Sequence, residues 1–242
     1  MRVLVGPRAG RDDEEVTVVA RALAGLHGSV VFLRGLGVRT LSRPLSAAEV
    51  ALVREALRGA PGAAERRAGA GSEAGDDAGV DADSEAGADA GAHTPANATI
   101  GYVCRGRLVG ARASARAGAG GTATHPDCAA QVIAVTDHVN LTWRSPLIGP
   151  NDDSAGPRFP AMTGIYLPDL TAGRLSTCEG MIVKAGIVAG VFDESRPNAF
   201  EHETIEAQAY AAASSELVPV IILAAHMGLR VAAAVVAMAG SN

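Results

Sequence analysis

The stretch from about Gly59 to Ala98, "GAPGAAERRAGAGSEAGDDAGVDADSEAGADAGAHTPANA", limits what this chain can fold into more than any other feature. It is built from Gly, Ala, Ser, Asp and Glu with almost nothing to bury, so it cannot offset the entropy of being ordered. A flexible, solvated insertion is the expectation, and its acids read as part of that solvated character rather than as a cation site. Any packed core must therefore come from the segments before and after it.

Those segments alternate in type. "RVLV" reads as a strand. A helix from about Asp13 to Leu26 follows, with Val16, Val19, Ala20 and Leu23 at helical spacing behind Asp12, Asp13, Glu14 and Glu15. "SVVFL" reads as a second buried strand, and Ser46 to Leu57 as a second helix with Ser46 and Glu49 in capping-box spacing. Past the insertion, "TIGYVC" and "RLVGARA" read as a hairpin, "AGAGGTAT" as a glycine-rich turn and "QVIAVT" as a strand. "GMIVKAGIVAGVF" reads as another strand, with a helix from about His202 to Ser214 after it. The nearly all-apolar "LVPVIILAAHMGLRVAAAVVAMAG" carries His226 and Arg230 at its centre, where charge is expensive in hydrocarbon. It reads as two buried strands around a turn at "HMGLR", not as a membrane span. The expected fold is α/β: one three-layer domain over residues 1–242, with a central mixed, twisted sheet flanked by helices and interrupted at about 59–98.

The net charge of -5 argues against nucleic acid as the main partner, because phosphate backbones call for clustered Lys and Arg. Cys104, Cys128 and Cys178 are odd in number and widely spaced, with no CxxC pair and no His at ligand spacing, so no metal site is expected. The N-terminal "MRVLVGPRAGRDDEEV" passes from a short strand into acids, unlike a signal or transit peptide, and a cytoplasmic location is expected.

The long loop after "QVIAVT" carries the sharpest pattern. "VIAVTDHVNLTWRSPLIGPNDDSAGPRFPAMTGIY" places Asp137, His138, Asn140 and Leu141 before Pro146, Leu147, Gly149, Pro150, Asn151 and Asp152, then Arg158, Phe159, Pro160, Met162 and Tyr166. This resembles the central block of the trimeric purine nucleoside phosphorylases and their methylthioadenosine-cleaving relatives. The resemblance implies a nucleoside phosphorylase-like fold, a homotrimer, and a loop that places Phe159 against a neighbour's ribose pocket. Stiff Pro and Gly turns hold such an aromatic at low entropic cost. "DESRPNAFEHETIEAQ" resembles the family's Phe-Glu step, which implies Phe200 lining a base pocket and Glu201 accepting from the purine edge. The inserted "DESRPNA" leaves Glu203 as the competing register.

Other stretches depart from the family. Where it has a Gly-Ser-Gly-Leu-Gly phosphate loop, "FLRGLG" keeps Gly35, Leu36 and Gly37 but sets Arg34 in the Ser position. "AGAGGT" is similar to Asn-Ala-Ala-Gly-Gly, with Ala117 replacing the Asn and Gly118 following it. "SSELVPV" retains Pro219 and Ser215 of a longer motif, and the late purine-binding Asn falls at Ala239, or at Asn242 after a three-residue slip. The implied activity is phosphorolysis of purine (2'-deoxy)ribonucleosides to free base and (deoxy)ribose 1-phosphate, with phosphate as co-substrate and no cofactor. Glu201 and Asn242 are the candidate catalytic residues, Phe200, Phe159 and Ser215 the substrate contacts, and Arg34, Ala117 and Gly118 the phosphate contacts. The alternative is a catalytically decayed member that binds or assembles without turnover.

Overall fold

A computed structural model describes residues 1–9, 13–33, 47–58, 99–109 and 131–238. The insertion, the glycine-rich turn, the Ser46 cap and Cys128 lie outside the described residues. Strand β1 (Arg2–Val5) leads into helix α1 (Glu14–Ala24), and β2 (Ser29–Phe32) is followed by α2 (Ala47–Arg58). Then come β3 (Thr99–Leu108), β4 (Gln131–Asn140), α3 (Pro168–Leu175), β5 (Ile182–Gly190), α4 (Ala199–Ala207), β6 (Ala212–Ser214), α5 (Leu217–His226) and β7 (Arg230–Met238).

The first two elements form as their sequence requires. Asp13 caps α1 by accepting from the Val16 amide, and Glu14 and Glu15 sit on the positive end of the helix dipole. Val16, Val19, Ala20 and Leu23 form the buried stripe that packs on Val3, Val5 and Val103. Leu4, between Val3 and Val5, points to the opposite face with Ile100, Tyr102 and the α2 residues Val53 and Leu57. Each fully buried side chain of this size contributes about 1.5–3 kcal/mol.

The sheet corrects the expected architecture. Its strand order is β2-β1-β3-β6-β5-β4-β7, and β7 pairs again with β3, so five strands close on themselves instead of forming an open sheet between helix layers. The closure is a parallel register of nine residues on each strand, from Thr99 opposite Arg230 to Arg107 opposite Met238. Two antiparallel pairings, β3 with β6 and β4 with β7, make the sheet mixed as expected.

Three local expectations are also corrected. "TIGYVC" and "RLVGARA" do not make a hairpin, because β3 runs unbroken through Gly106. A Cβ at Gly106 would lie 2.5 Å from Val235 Cγ1 and 2.7 Å from the Ala213 carbonyl, so this glycine marks close strand approach rather than a turn. The segment read as a helix to Ser214 ends at Ala207 and continues as β6, an Ala-Ala-Ser strand. "LVPVIILAAH" is helix α5, not a strand. It is buried nearly all round, which erases the periodicity that separates the two, and Pro219 sits in its first turn where no amide is lost.

Candidate functional site

The loops after β1, β5 and β6 converge over the middle of β3. Pairing of β1 with β3 ends at Val5 opposite Val103, and the Gly6 amide adds a last bond to the Val103 carbonyl at 2.8 Å. Beyond it the two strands part. The Arg8 amide then donates to Glu216 Oε1 at 2.7 Å, and the Arg105 amide donates to Glu216 Oε2 at 3.3 Å. One carboxylate thus bridges two backbone segments. Glu216 itself leads into α5, with its amide donating to Ser214 Oγ at 3.2 Å and its carbonyl accepting from Tyr102 Oη at 3.2 Å.

A second buried carboxylate stands beside it. Glu194, from the loop after β5, pairs with the Arg8 guanidinium and accepts from the Ser215 amide at 3.2 Å. Arg8 Nη1 also reaches Ser215 Oγ at 3.3 Å, and Arg107 Nη1 reaches the Glu194 carbonyl at 3.4 Å. The Arg105 guanidinium turns the other way, to Asp13 at 2.5 and 2.7 Å and Glu15 at 2.9 Å. Burial pushes the Glu216 carboxyl up to about 8, against the backbone bond from Arg8 and with the Glu194 charge raising it further. Burial likewise holds the Cys104 and Tyr102 protons well above their usual ranges, so neither supplies a nucleophile near neutral pH.

Of the residues expected from the sequence, Ser215 is in this cluster. Arg34, Ala117, Gly118 and Asn242 lie outside the described residues. Glu201 is fully buried and caps α4: its Oε1 accepts from the Phe192 amide at 2.9 Å and its Oε2 from the Asn198 amide at 2.8 Å, while Asn198 Oδ1 accepts from the Glu201 amide. That reciprocal pair is a capping box. Phe200 beside it is 51% exposed, and Glu203 is on the exposed face of the same helix. Arg8, Glu194 and Glu216 were missed. The available signal was "GPR" directly after a first parallel strand, where α/β folds place ligands, together with the acid that follows Ser215.

The long loop forms a second region. It starts from a turn in which Asn140 accepts from Thr142 Oγ1 at 2.6 Å and donates to the Arg144 carbonyl at 2.8 Å. Asn151 Nδ2 donates to the Gly156 carbonyl at 3.0 Å, and Asp152 pairs with Arg54 at 3.1 Å. His226 is fully buried, with Nε2 at 3.1 Å from Asn151 Oδ1 and Nδ1 at 3.5 Å from Arg54. Burial first, and then the Arg54 charge, lower its pKa, so a neutral ring protonated on Nε2 satisfies both contacts. His138 lies at the start of the loop, its Nδ1 at 2.7 Å from Tyr166 Oη, and burial lowers its pKa as well. Away from these anchors, Trp143, Ile148 and Phe159 are 84%, 74% and 87% exposed. They are not core residues of this chain.

Among the described residues no group of His, Cys, Asp and Glu is arranged to hold a metal ion, and no helix is long and apolar enough to cross a membrane. An open hollow of about 480 Å³ lies elsewhere, lined by Arg2, Leu52, Glu55, Ala56 and Arg58. Its charged pair Arg58 and Glu55 sits on exposed helix surface, so it offers no enclosed chemistry.

No family model matches the chain. Over 105 residues it is 31% identical to purine nucleoside phosphorylase 1 of Bacillus subtilis (strain 168), covering 43% of this chain and 39% of that protein. Over 107 residues it is 31% identical to the purine nucleoside phosphorylase of Rattus norvegicus, covering 41% and 37%. The chain thus spans about two fifths of the length of the curated relatives it matches. A solved structure of a Schistosoma purine nucleoside phosphorylase in complex with hypoxanthine aligns with 16% identity and a TM-score of 0.45, over 57% of this chain and 47% of that one.

Proposed function

We propose that this chain, a divergent relative of the purine nucleoside phosphorylases over part of its length, cleaves purine nucleosides by phosphorolysis. The observation that carries the reading is the anion cradle after β1: two backbone N–H groups, from Arg8 and Arg105, converge on one carboxylate beside a guanidinium. Backbone donors of this kind hold an anion without reorganising during reaction. Phosphate is the anion the chemistry requires. Its oxygen would attack the anomeric carbon as the bond to the purine nitrogen breaks, and the departing base would take the bonding pair and then a proton. Ser215 and Arg8 are assigned to that phosphate, an assignment supported by the contact of Arg8 Nη1 with Ser215 Oγ at 3.3 Å. Arg34, Ala117 and Gly118 are proposed as further phosphate contacts, and Phe159 as a ribose contact supplied across a trimer interface. Inorganic phosphate is the co-substrate, no metal or organic cofactor is invoked, and a reduced cytoplasm is the proposed setting.

Phe200 and Glu201 are assigned to the base, with Asn242 opposite the five-membered ring. Two backbone amides already occupy Glu201, so a purine can use only the lone pairs those bonds leave. Glu201→Ala is expected to weaken hypoxanthine binding by on the order of tenfold to a hundredfold, the loss of a charge-assisted bond of roughly 1.5–3 kcal/mol. It should also lower the melting temperature by removing the Glu201 side-chain half of the capping box, whereas Glu203→Ala should change neither. Calorimetric titration of both folded variants checks this, and a larger loss in the Glu203 variant would move the base contact by two residues. The other reading, a non-enzymatic binding or assembly protein, draws on one fact: Glu216 already fills the cradle.

A further inference from the structure

We propose that Glu216 is a built-in competitor for phosphate, its side chain lying in the anion cradle and having to leave before phosphate can enter. The inference rests on the reading of that cradle as the phosphate site. Three features support it.

The donors are independent of Glu216 and of any helix terminus. Arg8 follows β1, and Arg105 lies within β3, past the last residue that β1 pairs. The Arg105 amide at this point is left to Glu216 because the neighbouring strand has turned away. Strand geometry fixes the Arg105 amide, and the turn closed by the Ala9 amide on the Gly6 carbonyl at 3.2 Å positions the Arg8 amide.

The space is shaped around the carboxylate. A Cβ at Gly6 would meet Glu216 Oε2 at 2.7 Å, and Cys104 Cβ and Tyr102 Oη at 3.0 Å each. The glycine therefore leaves room for an anion group and little else. A phosphate held by the Arg8 and Arg105 amides would overlap the oxygens that already use them.

The charges cannot be shared. Arg8 is already paired with Glu194, and the Arg105 guanidinium is engaged by Asp13 and Glu15. Among the described residues no second cation of the cluster is left to hold an ionised Glu216 and a phosphate side by side, since Arg107 reaches only the Glu194 carbonyl. An ionised Glu216 repels phosphate strongly in a buried site, and a protonated one still occupies both amides, so in either state it keeps phosphate out.

The test is equilibrium binding of inorganic phosphate to the full chain, by calorimetry and by the phosphate-dependent shift in melting temperature. Wild-type protein is expected to bind in the millimolar range or more weakly, and Glu216→Ala at least about tenfold more tightly. Glu216→Gln, which keeps the bulk and loses the charge, is expected between the two when all three proteins are titrated at about pH 9, where Glu216 is ionised. Binding by Glu216→Ala no tighter than wild type would overturn the proposal. Should Glu216→Ala fail to fold, wild-type binding well below millimolar concentration, or Glu216→Gln binding no tighter than wild type, would overturn it equally. Inosine cleavage is scored separately. A Glu216→Ala protein that binds phosphate tightly without releasing base supports the competition and removes the phosphorolysis reading. One that releases base with unchanged phosphate affinity does the reverse.

Discussion

Glu216 shows how much a single buried carboxyl can impose on a fold. Its proton is held more tightly folded than unfolded, because burial raises its pKa from 4.5 to about 8. Between those values the native state binds more protons than the unfolded chain, so this group favours folding most below about 4.5 and progressively less as pH rises toward 8. The loss is at most about 1.4 kcal/mol per pH unit across that window. Wild-type protein should therefore lose melting temperature between pH 5 and pH 8 more steeply than Glu216→Gln, in which the titration is absent. Parallel curves for the two proteins would show that the carboxyl is not perturbed. Sequence alone does not reveal this residue. In "SSELVPV" it is an ordinary acid ahead of an apolar run, and only the crossing of β1, β3 and β6 brings the Arg8 and Arg105 amides to it. Glu201 illustrates the converse. Its type and position stood out in the sequence, but the capping role of its side chain depends on Asn198, three residues earlier, which the sequence reading did not use.

Among the elements, the loop from Leu141 to Gly164 was the most legible in pattern. Its Pro, Gly and Asn content matches the anchoring seen: Asn140 ties its start, and Asn151 and Asp152 tie its middle to His226 and Arg54. Gly156 could not be any other residue without collision, since a Cβ there would lie 1.6 Å from the His226 carbonyl oxygen. What such anchoring leaves outward is apolar: Trp143, Ile148 and Phe159. Exposed side chains of this size, held on a braced loop, suit a partner surface better than water. Self-association is the expected consequence, and the proposed function makes the assembly a homotrimer. Phe159→Ala should weaken it in sedimentation experiments at micromolar concentration while leaving the melting temperature of the dissociated chain within a degree or so, as is usual for an exposed position. A wild-type monomer under those conditions would contradict the role given to Phe159. Helix α5 was the least legible element. Leu217, Val218, Val220, Ile221, Leu223 and Ala224 are all buried, so no polar face marks the helical period and a buried strand fits the same letters.

At the scale of the molecule, the alternation of strands and helices before the insertion was readable because α1 has one apolar stripe and β1 has neighbours on both faces. Closure of the sheet was not. It depends on β3 and β7 lying side by side across more than a hundred residues of sequence, and the Ala and Val residues of "RVAAAVVAM" would suit a buried open sheet equally well. The closed strands and the β1 loop together set the anion cradle in the body of the protein, with the long loop reaching outward from β4. The proposed phosphorolysis would draw on both regions, with phosphate on the cradle and a nucleoside between that cradle and a neighbouring copy. The most direct measurement is release of hypoxanthine from inosine by the full chain, followed across a phosphate titration with ribose 1-phosphate quantified alongside. Base release that rises with phosphate and matches ribose 1-phosphate mole for mole is the expected result. No release at tens of millimolar phosphate, or release that ignores phosphate, would contradict the account.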